Sequence, residues 1–191
     1  MTDEQALIQR AQQGDRHALE ALLTDRYGPV LAVCRRMCGP DGDDAAQNAL
    51  LSIARAIGSF EGTAAFATWC HRIAIRAALD ELRRRSRRPQ PSELDDSRFA
   101  TSATIATVDL RLDIDAALAQ LPVDFRAVLV LRDLCGLDYD EIATTLEIPP
   151  GTVRSRIARA RRDMVGLLGP PADDAISGSG EPDPPRETSD G

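Results

Sequence analysis

Wherever this chain is apolar, its apolar residues fall three and four positions apart. Leu50, Ile53, Ala54 and Ile57 lie at i, i+3, i+4 and i+7. Phe66, Cys70, Ile73 and Ala77 form a second such stripe, and Leu110, Ile114, Ala117 and Leu121 a third that stops before Pro122. A stripe of that spacing buries one face of a helix, whereas on a strand it would scatter over both faces. Strand-like alternation is scarce, so the sequence specifies an all-α fold. Aromatic residues make up 4% of the chain, so the core has to be built from Ala, Leu, Ile and Val.

The periodic stretches form two blocks, 1–88 and 110–168, which predict two small helical domains. Between them, 89–109 is rich in Pro, Ser, Thr and Asp and reads as a flexible linker. After Leu168 comes GPPADDAISGSGEPDPPRETSDG, with five prolines, four glycines and six acids against one Arg. That composition cannot support a packed core and predicts a disordered acidic tail over 169–191.

Charge is distributed unevenly. The formal net charge is -7, yet five arginines fall between Arg154 and Arg162. The acidic tail supplies much of the negative sign, so net charge is a poor guide to partners. The N-terminus lacks a basic segment followed by an apolar one, and no apolar run approaches the ~20 residues that span a bilayer. A cytoplasmic protein that is not itself membrane-embedded is expected, with reduced thiols. Cys34, Cys38, Cys70 and Cys135 include no C-x-x-C pair, and His17 and His71 are not at zinc-ligand spacing from them. The cysteines read as small buried hydrophobes, Cys34 on a stripe with Tyr27, Val30 and Leu31. No metal, cofactor or catalytic residue is expected.

The stretch LDYDEIATTLEIPPGTVRSRIARARRDMVGLL carries the clearest local signal. Asp138 and Glu141 form a capping box that opens a short helix through about Leu146. Pro149 and Pro150 end it and suit the start of a second helix, from about Gly151 to Leu168. Two helices joined by a tight turn, the second basic, form the DNA-binding helix-turn-helix pattern. At about 100° per residue, Val153, Ile157, Ala160, Met164 and Leu167 face inward. Ser155, Ala158, Arg159 and Arg162 face outward, with Arg154 on the flank. An arginine there can bond guanine O6 and N7 in a major groove, and the remaining arginines suit phosphates. The amides of Gly151 and Thr152 at the helix start also suit a phosphate.

Two motif sets in this order resemble the extracytoplasmic-function (ECF) group of sigma factors, the small initiation subunits of bacterial RNA polymerase. DDAAQNALLSIARAIGSFEGTAAFATWCHRIAIRAALDELRRRSRRP resembles sigma region 2. LAQLPVDFRAVLVLRDLCGLDYDEIATTLEIPPGTVRSRIARARRDM resembles region 4. The resemblance implies that the first block binds core RNA polymerase and recognises and melts the −10 element, and that the second reads the −35 element. It implies partners in the β′ clamp helices and β flap of core polymerase, in promoter DNA, and in an anti-sigma factor. Asp44, Gln47, Asn48 and Leu51 are the implied polymerase contacts. The loop with Ser59, Phe60, Glu61, Gly62 and Thr63 is implied to capture an extruded −10 base, where Gly62 allows close backbone approach. Arg72, Arg76, Arg83 and Arg84 are implied strand and backbone contacts, and Trp69 reads as packed. In region 4 the implied −35 positions are Arg154, Ser155, Ala158 and Arg159, the face already obtained from helix angles, and Arg132 matches a phosphate contact.

The chain departs from the family pattern at three places. Asn48 stands where the family commonly has Glu, Ala74-Ile75-Arg76 where Ala-Arg-Asn is common, and Glu147 where the turn glycine falls. Two other function classes fit poorly. A helix-turn-helix regulator acting without polymerase would leave the first block with no role, and no dimerisation helix is evident. A thiol oxidoreductase using Cys34 and Cys38 would lack a C-x-x-C pair, a paired His base and a phosphate-binding glycine loop.

Overall fold

The structure is a computed structural model that describes residues 3–87 and 105–168. The expected tail, most of the expected linker and Arg88 lie outside the described residues. Every regular element among the described residues is helical: α1 (Asp3–Gln12), α2 (Arg16–Cys38), α3 (Gly42–Ala56), α4 (Phe66–Arg87), α5 (Ile105–Gln120), α6 (Val123–Leu129), α7 (Tyr139–Leu146) and α8 (Pro150–Leu168).

In the first half, α2, α3 and α4 pack on one another and α1 lies against α2. Asp15 starts α2 by accepting the His17 and Ala18 amides at 3.0 and 3.2 Å, which satisfies two N–H groups that have no partner within the helix. The shared core holds Val30, Val33, Cys34 and Met37 of α2, Ala45, Ala46, Ala49 and Ile53 of α3, and Phe66, Cys70, Ala74, Ile75 and Ala78 of α4. Small residues dominate it, so these helices approach closely. Burying a single Ile53 or Ile75 contributes about 1.5–3 kcal/mol. Tyr27, expected on the Cys34 stripe, is instead 52% exposed. It lies near the middle of a 23-residue helix with Pro29 in its interior, and the packed face is carried by Val30, Val33, Cys34 and Met37.

The second half starts earlier than the sequence suggested. Helix α5 begins at Ile105, inside the expected linker. The Thr- and Asp-containing stretch before Leu110 hid it, because those residues favour turns unless a helix recruits them. Helix α6 runs on into a π turn over Val130–Leu134, and the Cys135 amide reaches back to the Val130 carbonyl at 3.1 Å. Leu118, Leu121, Val128, Leu131, Leu137, Ile142, Val153, Ile157 and Ala160 form the core here.

The helix-turn-helix is built as its sequence dictates, with one strained residue. Both halves of the capping box are made: the Glu141 amide donates to Asp138 Oδ1 at 2.8 Å and the Asp138 amide to Glu141 Oε2 at 3.0 Å. Glu147 ends α7 in the left-handed region, at φ 56 and ψ 44, with its amide donating to the Ala143 carbonyl. A residue with a Cβ loses about 1–2 kcal/mol there, against roughly 0.5–1 kcal/mol of unfolded-chain entropy that a glycine would cost. Glu147→Gly is therefore expected to stabilise the chain by about 0.5–1 kcal/mol, measured by denaturant unfolding. The contact it forfeits, to Arg76 at 3.9 Å between exposed side chains, contributes little.

The two halves are packed together. Arg126 of α6 is buried, and its guanidinium donates to the carbonyl of Met37 at the end of α2, as well as to those of Ala119 and Leu121. Arg36 of α2 lies 3.5 Å from Asp115 of α5. Apolar side chains of both halves join one continuous core.

Candidate nucleic-acid interface

Helix α3 packs through Ala45, Ala46, Ala49 and Ile53. That leaves Asp44, Gln47, Asn48 and Leu51 exposed at i, i+3, i+4 and i+7, on a single outer face. Leu51 is 53% exposed, an apolar centre ringed by polar groups. The structure brings all four together, as a surface that meets a partner helix would need.

The loop after α3 is fixed from below and open above. The Ser59 hydroxyl donates to the Ala56 carbonyl at 2.8 Å. Ser59, Glu61, Gly62 and Thr63 are exposed, while Phe60 is half-buried. The Phe60 ring meets Phe66 edge-on at 5.4 Å and Trp69 at 5.3 Å, and Phe66 stacks on Trp69 at 5.7 Å. Trp69 is thus packed, and Phe60 ties the loop to α4. Gly62 has φ 74, yet a Cβ there would meet nothing within 4 Å. Within the chain its glycine is required by backbone conformation and not by close packing.

Along α4, Arg76, Arg83 and Arg84 are exposed and Arg72 is partly covered. Ile75, at one position of the departure from the family pattern, is fully buried. Arg83 pairs with Asp80 at 3.1 Å and Arg84 with Glu81 at 2.7 Å. The Glu81 carboxylate, hydrogen-bonded to Arg84, raises that guanidinium's pKa. Arg72 lies 3.8 Å from Glu141 and Arg76 3.9 Å from Glu147. Both acids belong to the helix-turn-helix, at the two ends of α7, so this face of α4 lies beside α7.

On α8, Val153, Ile157 and Ala160 are buried as expected. Arg154, Ser155, Ala158, Arg159 and Arg162 are exposed together. Leu167, expected inward, is 39% exposed, because the last turn of α8 runs beyond the core. Two expected phosphate contacts are already engaged within the chain. The Thr152 amide donates to the Pro149 carbonyl at 2.9 Å, because the Pro-Pro start of α8 folds as a tight turn; Gly151 beside it is exposed. Arg132 donates to the Leu137 carbonyl at 2.8 Å and lies over the Tyr139 ring at 5.4 Å, with Arg154 on the same ring at 6.0 Å. Arg132 thereby braces the segment that leads into α7.

Cys34, Cys38 and Cys70 are buried in the first half. Burial pushes Cys34 and Cys70 up to about 12 and Cys38 up to about 11. Cys34 and Cys38 donate to the carbonyls of Ala74 and Ala78 at 3.8 and 3.4 Å. A thiol held so far above neutral pH supplies no thiolate nucleophile. Among the described residues no cluster of His, Cys, Asp or Glu is placed to hold a metal ion, and no helix is long and apolar enough to cross a membrane.

Sequence reasoning missed Gln12 of α1, whose side chain reaches the loop, and Arg126, whose side chain joins the halves. Both act on residues at least 45 positions away along the chain, so no local pattern marks them.

Comparison with known proteins agrees with this geometry. The family described as Sigma-70 region 2 matches residues 22–88, and that described as Sigma-70, region 4 matches residues 111–164. The chain is 37% identical to the RNA polymerase sigma-H factor of Pseudomonas aeruginosa, over 87% of this chain and 94% of that protein. It is also 37% identical to the ECF RNA polymerase sigma-E factor of Escherichia coli strain K12, over 87% of this chain and 95% of that protein. The fold is similar to CnrH in complex with the cytosolic domain of CnrY, with a TM-score of 0.63 and 23% identity over 86% of this chain and 96% of that one. It is similar also to the sigma factor RpoE from Bartonella quintana in complex with the anti-sigma factor NepR, with a TM-score of 0.61 and 21% identity over 78% of this chain and 95% of that one. With helical halves that match regions 2 and 4 in order, and relatives of that identity along most of its length, the chain belongs to the ECF group of the sigma-70 family.

Proposed function

We propose that this chain is a dissociable transcription initiation factor that binds core RNA polymerase and directs it to specific promoters. The outer face of α3 (Asp44, Gln47, Asn48, Leu51) meets the β′ clamp helices. The Ser59–Thr63 loop and the arginines of α4 hold the −10 element as single strand. The exposed face of α8 reads the −35 element as duplex, and the second half also meets the β flap. Binding energy, with no catalytic step by the chain, opens the DNA. Extruding a base costs a few kcal/mol, which a shaped pocket has to offset.

The observation that carries this reading is that each half presents its own exposed arginine face, one on α4 and one on α8, in a chain whose α3 keeps a separate polar face around Leu51. Two separated DNA elements cannot both be engaged while Arg72 lies 3.8 Å from Glu141. The halves therefore part when the factor engages a promoter. Family membership supports an anti-sigma factor as a further partner, one that covers the polymerase-binding faces.

Co-elution with core RNA polymerase on a sizing column tests the proposal. The chain is expected to co-elute. Asp44→Ala with Gln47→Ala is expected to weaken binding about tenfold or more without loss of helical content. Failure to co-elute, where another sigma factor does, would favour a helix-turn-helix regulator that acts without polymerase.

A further inference from the structure

The region 2 match begins at residue 22, so helix α1 lies outside it. Yet α1 is tied to the loop that the proposed function places at the −10 strand. The Gln12 carboxamide donates from Nε2 to the Phe60 carbonyl at 2.8 Å and to the Ile57 carbonyl at 3.2 Å. One side chain thus fixes the start of the loop at two points. Between α1 and the loop runs an open groove, with Gln9 and Gln12 on one wall, Phe60 and Thr63 on the other, and the carboxylates of Glu4 and Glu61 at its sides, so the groove admits a base and not the phosphate backbone. The two glutamines are spaced three apart and so share a helix face, above the buried Ile8. Gln9 and Gln12 are exposed.

We propose that α1 is part of the −10 capture device: Gln12 is a positioning residue that sets the loop's shape, and Gln9 contacts the edge of the extruded base in the groove. This rests on the initiation-factor reading above. A carboxamide offers both a donor and an acceptor, the pair that a base edge presents in return. Phe60, held by Phe66 and Trp69, supplies the apolar wall that a base needs in order to stack. Arginines on α4 attract the backbone without regard to sequence, so base choice has to come from groups such as these.

The test uses the full chain assembled with core polymerase and a pool of duplex promoters randomised across the −10 segment. The enriched −10 sequence, made as a single-stranded oligonucleotide, then serves as the binding probe. Gln12→Met keeps the side chain's length and removes its donors; Gln13→Ala, next to it and outside the groove, is the control. Gln12→Met is expected to weaken oligonucleotide binding about tenfold, with core polymerase binding and −35 duplex binding unchanged and the unfolding midpoint only slightly lowered. Gln9→Ala is expected to relax preference at one −10 position and leave the others intact. Enrichment and affinity equal to wild type in both variants would overturn the inference and leave the initiation-factor reading standing. So would a Gln12→Met defect that falls equally on polymerase and −35 binding, the mark of a general structural role. If the wild-type assembly enriches no −10 sequence, the initiation-factor reading falls, and this inference with it.

Discussion

Replacing Arg126 with methionine is expected to lower the stability of the chain by about 2–5 kcal/mol. The guanidinium donates to the carbonyls of Met37, Ala119 and Leu121. Among the described residues no carboxylate pairs with it. Removing it leaves buried carbonyls without a donor, and each such loss costs about 1–3 kcal/mol. Methionine keeps most of the buried aliphatic volume, so the effect reports the lost donors more than a cavity. Burial pulls the Arg126 pKa below its ordinary value, yet a guanidinium remains charged in proteins. Denaturant unfolding reads the change. Because the Met37 carbonyl belongs to the first half and the other two to the second, the variant is also expected to split a single unfolding transition into two. Arg126→Lys, with donors on one nitrogen in place of a planar fork, is expected to recover only part of the loss. An Arg126→Met chain as stable as wild type would show that the three carbonyls find other donors.

The second large effect is expected at Gly42, the first residue of α3. A Cβ added there would lie 2.5 Å from Arg35 Cα and 2.6 Å from Arg35 N. Both are backbone atoms of α2, so relief requires prying α2 from α3, along a seam that includes Met37, Ala45 and Ala46, all almost fully buried. Alanine gains about 1 kcal/mol of helix propensity over glycine. Overpacking costs about 1–3 kcal/mol and occasionally more; contact this close with fixed backbone lies at the upper end, so the clash wins and Gly42→Ala is expected to destabilise the chain by roughly 1–2 kcal/mol. Gly166→Ala is the control. Gly166 lies within α8 with nothing within 4 Å of the added Cβ, and propensity alone should stabilise the chain by about 0.5–1 kcal/mol. Two glycine-to-alanine changes within helices are thus expected to have opposite signs, and unfolding midpoints distinguish them.

Much of the fold was legible because it rests on short-range rules. The Asp138–Glu141 capping box, the Pro149-Pro150 break and the inward stripe of Val153, Ile157 and Ala160 each span eight residues or fewer, and each is where the sequence places it. Asp44, Gln47, Asn48 and Leu51 of α3 came from the family resemblance, and the structure leaves all four exposed. The errors share one cause, which is tertiary context. Leu167 faces solvent because α8 outruns its core, and Tyr27 because Val30 and Val33 carry the packing of α2. The intrachain hydrogen bonds of Thr152 and Arg132 are likewise invisible to residue type, and they leave Arg132 further donors for a phosphate.

The sequence by itself determined an all-α chain in two periodic blocks, a capped helix-turn-helix, and arginines collected on faces that a nucleic acid can meet. Periodicity, capping and charge are local properties, readable one helix at a time. Only the tertiary structure decided that the halves pack together, with Arg126 reaching the Met37 carbonyl. It alone set Arg72 and Arg76 beside Glu141 and Glu147, and Gln12 under the Ile57–Phe60 segment. Each of these contacts joins residues far apart in the chain, and their approach is fixed by how helices cross, which no window of sequence encodes.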